Sequence, residues 1–395
     1  MNIPTTSAPT GLLRVAIAGL LAITALTGCG GDSSSARPGF ISPEGMTAVI
    51  ATASPDFGSG EVELVDLDTD NMTASGGYHA TVSDIAVSSH GQHYYLIERY
   101  MTDRVAKIDI TNPAVFEWQY SAVSPSDTGS SNPYELIFVN EEKAYLIRYD
   151  ATTAWIVNPS ATTEAEFLLG ELDLSAYAAG GAATPRMSAG AIVGDQLFIA
   201  MQRLDSSWNP TQDGYVAVFD INTDEEIDTG MGEDGLKGIP LISRNPLGIT
   251  YRPNLGLLVH GVGNYYTWGQ IGGIDRVDPE TFAVTQLLAG DQDTGRINHL
   301  AVINDNTAYI NIYNAYQNAS VFRINPATGE VQSEIEEVAN TDIRALTADP
   351  LGRLWMGDGT LSAPGLRVFD PADDSEVAFI PTTMLPMDIT FVVED

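Results

Sequence analysis

Seven arginines occupy one kind of place in this chain. Arg99, Arg148 and Arg203 each close a short apolar run, and Arg186, Arg244, Arg296 and Arg344 each stand at or just before one. The segments around them carry Tyr134, Trp208, Tyr265, Tyr266, Trp268 and Tyr313, with Tyr100, Tyr149 and Tyr316, interleaved with Asn and Gln. A guanidinium fork matches a carboxylate, a phosphate or another oxyanion, and a planar aromatic ring stacks on a planar ligand at low entropic cost. The chemistry these residues favour is recognition: an anionic, aromatic or polyoxygenated small molecule, such as a ferric siderophore, a porphyrin or a corrinoid, or a loop of a partner protein. The competing reading pairs the arginines with nearby carboxylates such as Glu98, Asp150 and Asp205, which ties neighbouring elements together and binds nothing.

Both readings need elements that bring the arginines to one face, and the sequence supplies them as a repeat. Residues 296–335 read as four short strands. An apolar run at 300–303 is followed by Asn-Asp-Asn turn chemistry, an alternating run at 307–312, a polar loop at 313–318, a third strand at 320–324, a tight Asn325-Pro326-Ala327-Thr328-Gly329 turn and a fourth strand at 330–335. Such a unit cannot bury both faces alone and needs copies beside it. The same order of events recurs over 83–122 and 132–175, and again from near Arg186, Asn245 and Asp342. A further unit is split. Residues 386–393 resemble a first strand, whereas 46–53, 61–66 and the segment after Asp70 resemble later ones. Pairing the two ends predicts an all-β fold, a seven-bladed β-propeller of four-stranded antiparallel blades whose ring is closed by the N- and C-terminal segments, leaving no exposed sheet edge there. A period of about 40–60 residues suits a propeller blade. In this arrangement the loop between second and third strands and the loop entering the next blade open on the same face, where the arginines and aromatics fall.

The propeller reading assigns residues 45–395 to one domain. Residues 1–28 have the shape of a lipoprotein signal peptide: Arg14 precedes an apolar run at 15–26, too short to span a bilayer permanently, which ends in Leu26-Thr27-Gly28-Cys29. The segment resembles the bacterial lipobox, which implies acylation of Cys29, the chain's one cysteine. Residues 29–44 then form a flexible tether containing Gly30-Gly31-Asp32-Ser33-Ser34-Ser35. The expectation is a monomeric body anchored by lipid alone at the outer membrane, on its periplasmic or outer surface. With no cysteine pair, no disulfide can staple the body. The formal net charge of −34 argues against nucleic acid and against docking on an anionic membrane surface.

The third unit, from Asn132-Pro133-Tyr134-Glu135 through Ala144-Tyr145-Leu146-Ile147-Arg148 to Trp155-Ile156-Val157-Asn158-Pro159, resembles the YVTN-type propellers of bacterial and archaeal surface proteins, a group bordering on the lactonase-type propellers. Tyr145-Leu146-Ile147-Arg148 and Tyr309-Ile310-Asn311-Ile312 stand where the family has its naming tetrapeptide. The resemblance implies an extracytoplasmic binding or scaffolding role and no catalytic residue; a surface capture protein working beside an outer-membrane transporter is expected only by analogy.

Signals for catalysis and for metal are weaker. Asp66-Leu67-Asp68-Thr69-Asp70-Asn71 opens like a calcium loop, yet Asn71 stands where Gly is required and Gly77 where Glu is. The related stretches at 220–224, 278–281 and 370–373 mark these as hairpin turns. Of the five histidines, only His260 and His299 fall near the channel face, too few for a metal site. No G-x-S-x-G elbow occurs, and Gly261-Val262-Gly263 lacks the strand-to-helix setting of a phosphate loop. No cofactor is called for. A carboxylate pair such as Glu135 with Asp342 leaves open a hydrolase or lactonase holding a divalent cation in the central channel, and a purely scaffolding propeller is a third reading. The loops at 202–214 and 261–273, long and rich in Trp and Tyr, are where specificity is expected.

Overall fold

The alternation read from the sequence is what the computed structural model shows, and it describes residues 45–67, 72–266, 270–290 and 295–393. Seven four-stranded antiparallel sheets form the blades of a propeller. Blade 1 takes its inner strand from the C-terminus, Leu385–Val393, followed outward by Met46–Ala53, Gly60–Asp66 and the two-residue Ala74–Ser75. The other inner strands are Ile85–His90, Pro133–Asn140, Met187–Val193, Pro246–Arg252, Ile297–Asn304 and Ile343–Ala348, for blades 2 to 7. The leader, Cys29 and the tether lie outside the described residues.

Each second strand is buried on both faces because it serves two cores. In blade 3, Ala144 and Leu146 pack with blade 2 residues including Ile97 and Trp118, whereas Tyr145 and Ile147 pack with Leu197 and Ile199 of blade 4. The two-residue period of a strand sends alternate side chains to opposite neighbours. Seven such apolar clusters fill the seven spaces between blades. Burying each large side chain contributes about 1.5–3 kcal/mol.

The blade 6 loop expected at 313–318 is mostly strand. Thr307–Ala315 and Asn318–Ile324 stay paired through Tyr313 and Ala319, with a bulge before Ala315, because the alternation of small and large residues runs on past Ile312. The outer turns are Asx turns: Asp220, Asp278 and Asp370 each accept backbone N–H groups two or three residues on. This agrees with the turn reading over the calcium one; Asp68 to Asn71 lie outside the described residues.

Candidate functional site

The seven inner strands surround a central cavity of about 510 Å³, with Tyr134 on its wall and Glu135 beside it. Above it, second strands end and inner strands begin, and Arg99 and Arg186 stand at two of these points. Arg99 lies over the Tyr134 ring at 4.5 Å, Tyr134 stacks on Tyr149 at 4.7 Å and 13°, and Arg186 lies 5.3 Å from Tyr149 and 4.0 Å over Trp208. This series crosses from blade 2 to blade 4. Burial raises the phenol pKa of both Tyr134 and Tyr149, keeping them neutral donors and stacking surfaces.

Carboxylates hold the guanidinium planes in place. Asp84 takes Arg99 at Nε, 2.7 Å, and again at its second nitrogen. Asp150 pairs with Arg186 and also accepts from Asn132 Nδ2 at 2.9 Å. Asp103, itself buried, accepts from Ser130 and Ser131 hydroxyls and from the Asn132 backbone N–H, which anchors the loop entering blade 3. Asn132, Arg186 and Asn245, each immediately before an inner strand, have φ of 51°, 61° and 57°. Left-handed backbone at non-glycine residues costs roughly 1–2 kcal/mol each and clusters at functional sites.

The other predicted residues are placed differently. Tyr265 joins the series through electrostatic coupling to Tyr134 and Tyr149, and Tyr266 beside it is 79% exposed. Across the mouth, Arg296 gives one N–H to the Asn314 carbonyl, Tyr313 couples to Asp342, and Arg344 Nε donates to Asp342 at 2.6 Å. Arg244 turns outward to Asp213 and the Pro210 carbonyl. Arg148 and Arg203 do not reach the mouth. Arg148 is 0% exposed, paired with Asp127 and bonded to the Ala122 carbonyl and Thr153, with its plane 4.3 Å over Trp155. Arg203 donates to the Tyr177 and Asp213 carbonyls. Both guanidinium groups tie their blade to the segment leading in from the preceding one, which corrects the expectation that they face a ligand. Trp268 lies outside the described residues, as does part of the 261–273 loop. In the 202–214 loop, Asp205 accepts from the backbone of Ser207 and Asn209 and pairs with no arginine among the described residues, while Trp208 at its tip is 51% exposed.

Below the mouth, the cavity wall carries Glu135, Asp388, His260 and His299. Glu135 does not face Asp342, whose side chain holds Arg344 and is absent from the cavity wall; the second carboxyl there is Asp388, on the C-terminal inner strand. Sequence reasoning passed over Asp388 because one acid in a strand of nine gives no signal until ring closure brings it to the channel. Burial drives the Glu135 pKa up to about 7, opposed by the Gly190 N–H it accepts at 3.0 Å and assisted by Asp388. Burial likewise raises Asp388, against N–H bonds from Val87 and Ile389. His260 falls to about 4 and His299 also falls, both chiefly by desolvation. A Cβ on Gly248 would lie 2.3 Å from the His260 ring, so any larger residue there must displace that ring.

Among the described residues, one group of three possible metal ligands converges: His93, Asp109 and Glu117, on the outer part of blade 2. The Lys107 ammonium sits 3.2 Å from Glu117 and balances the charge a cation would. The group reads as an exposed ion-pair cluster.

No protein-family model and no curated protein matches the chain. Solved structures do resemble it. The dihydro-heme d1 dehydrogenase NirN in complex with DHE aligns at a TM-score of 0.54 and 12% identity over 90% of this chain and 77% of its own. A Lactobacillus plantarum protein aligns at 0.55 and 14%, over 88% and 100%. A streptogramin B lyase aligns at 0.51 and 15%, over 78% and 89%. At such identities the likeness supports the propeller fold and carries no chemistry across.

Proposed function

We propose that this protein is a non-enzymatic capture propeller, tethered to the outer membrane by a lipid on Cys29, that binds an aromatic or polyoxygenated small molecule bearing an oxyanion, of siderophore, porphyrin or corrinoid type, at the mouth of its central channel. The observation that carries the reading is the series Arg99, Tyr134, Tyr149, Arg186 and Trp208, fixed by Asp84 and Asp150 beside the opening of the cavity. Each arginine here already has a carboxylate partner. Those pairs set the planes of the guanidinium groups, and the exposed rings of Trp208, Tyr265 and Tyr266 supply the surface on which a planar body would lie. A YVTN-type surface protein working beside an outer-membrane transporter would use such a face, and a loop of that partner would fit the same mouth.

Native mass spectrometry with an absorption spectrum, on full-length protein purified from its natural host without chelators, tests the reading. A retained non-protein mass that Arg186→Ala and Trp208→Ala both lose supports capture. A bare polypeptide mass overturns it and leaves the scaffold. The presence of Glu135 and His299 on one cavity wall favours a hydrolase as second reading, which metal-dependent ester or lactone turnover by the same preparation would establish.

A further inference from the structure

Beside the hydroxyls of Ser88 and Thr250, the cavity wall carries several acceptors with no donor among the described residues. His260 Nε2 lies 3.1 Å from the Asn298 carbonyl, which only accepts, so Nε2 carries the proton and Nδ1 is a bare lone pair. His299 Nδ1 lies 3.3 Å from the Asn311 carboxamide oxygen, which leaves its Nε2 as a second lone pair. Glu135 accepts from Gly190 through Oε2, and Oε1 has no hydrogen bond among the described residues. Asp388 brings a second carboxyl, and among the described residues no lysine or arginine lines the wall. Asp388 disfavours charge on Glu135, while the Arg99 guanidinium at the mouth favours charge on Asp388, and a cation entering between the two acids would be attracted by both.

We infer that the cavity is a cation subsite of the mouth site proposed above, and that it takes an ammonium group on an aliphatic arm of the ligand, seated between Glu135 and Asp388. The inference rests on that mouth reading and narrows it: the captured molecule is an aromatic body with an amine. A bare metal ion fits less well. Such ions need several ligands at about 2.0–2.6 Å, and among the described residues the cavity brings no three His, Asp or Glu donor atoms within 4.8 Å of one another. An amine on a flexible arm reaches acceptors that are dispersed. The Tyr134 ring at the entrance lets such an arm pass beneath an aromatic body lying on Trp208 and Tyr265.

Isothermal titration of the full-length protein at pH 8 with tryptamine and with indole-3-acetate as probes separates the two ideas. The ammonium probe is expected to bind about tenfold more tightly than the carboxylate probe, and Asp388→Asn or Glu135→Gln brings the two within about twofold, whereas Trp208→Ala weakens both alike. Equal or tighter binding of indole-3-acetate to the unaltered protein overturns the cation subsite and leaves the mouth site standing. Binding of neither probe removes the mouth reading and the inference together. The comparison between probes is made on the unaltered chain, so a variant that fails to fold does not leave the inference untested.

Discussion

Arg148 and Arg186 show how one residue type at one kind of position takes two roles. Arg148 ends a second strand as the repeat predicts, but its guanidinium turns inward to Asp127, twenty-one residues earlier, and to the Ala122 carbonyl. Strand ends are readable from alternation; the acceptor that decides where a long side chain points comes from a distant loop and leaves no local pattern. Removing Arg148 strands Asp127 next to an empty buried volume, and breaking a buried pair from one side costs about 3–5 kcal/mol. Arg148→Ala is therefore expected to lower unfolding stability by that amount in urea titration, and a loss under 1 kcal/mol would contradict the role given to it here. Arg186 and Asp150 are each 17% exposed, so truncating Arg186 is expected to cost less than Arg148→Ala, about 1–3 kcal/mol. The sequence made the two indistinguishable as binding candidates, and only burial separates them.

At the level of the element, the outer hairpin does more than turn the chain. Asp220 opens the turn by accepting its backbone N–H groups, and Asp224 closes it with φ of 59°, reaching the preceding blade. There it accepts from Tyr145 Oη at 2.5 Å and from Lys143 Nζ at 2.8 Å. Blade 7 repeats the device on blade 6: Asp374, at φ 60°, takes Tyr309 and Arg323. Blade 3 has Asn158-Pro159-Ser160 at this turn, and there the Pro159 carbonyl accepts Trp118 Nε1 of blade 2. The turn itself was legible, since Asp followed by small polar residues between apolar runs specifies it. The latch was not, because its partner belongs to another repeat and differs from blade to blade. Asp224→Ala leaves a phenol and an ammonium without their shared acceptor and is expected to cost about 2–3 kcal/mol. A double-mutant cycle with Tyr145→Phe checks it: the losses should be smaller together than summed, by at least 0.5 kcal/mol, and strict additivity would rule out the latch.

The whole molecule depends on closing a ring with no disulfide, and the closing strand is tied on both sides. Leu385–Val393 pairs with Met46–Ala53 along its length, and the next blade holds it through Ser89 Oγ to the Phe391 carbonyl at 2.7 Å and Val87 N–H to Asp388 at 3.0 Å. The split repeat announced this closure, because neither end of the chain makes a blade alone. A further tie was hidden among 52 acidic residues: Glu63 on the third strand of blade 1 accepts from Thr383 N–H at 2.8 Å, just before the closing strand begins. Burial outweighs that bond and lifts the Glu63 pKa from 4.5 to about 7, with repulsion from Glu61 adding to the rise. A carboxyl whose pKa is higher in the folded than in the unfolded chain favours folding while both states are protonated. Its contribution shrinks as pH climbs from 4.5 through 7 and then stays level. The full change is on the order of 3 kcal/mol. Gln keeps the acceptor and removes the charge, so Glu63→Gln should gain on the unaltered protein across that interval in urea titrations at pH 5, 6, 7 and 8. Other groups, Glu135 among them, bend both stability curves alike and cancel in the difference. Curves that run parallel through the interval would mean that Glu63 is ionised in the folded ring, with the seam between blades 7 and 1 open enough to hydrate it.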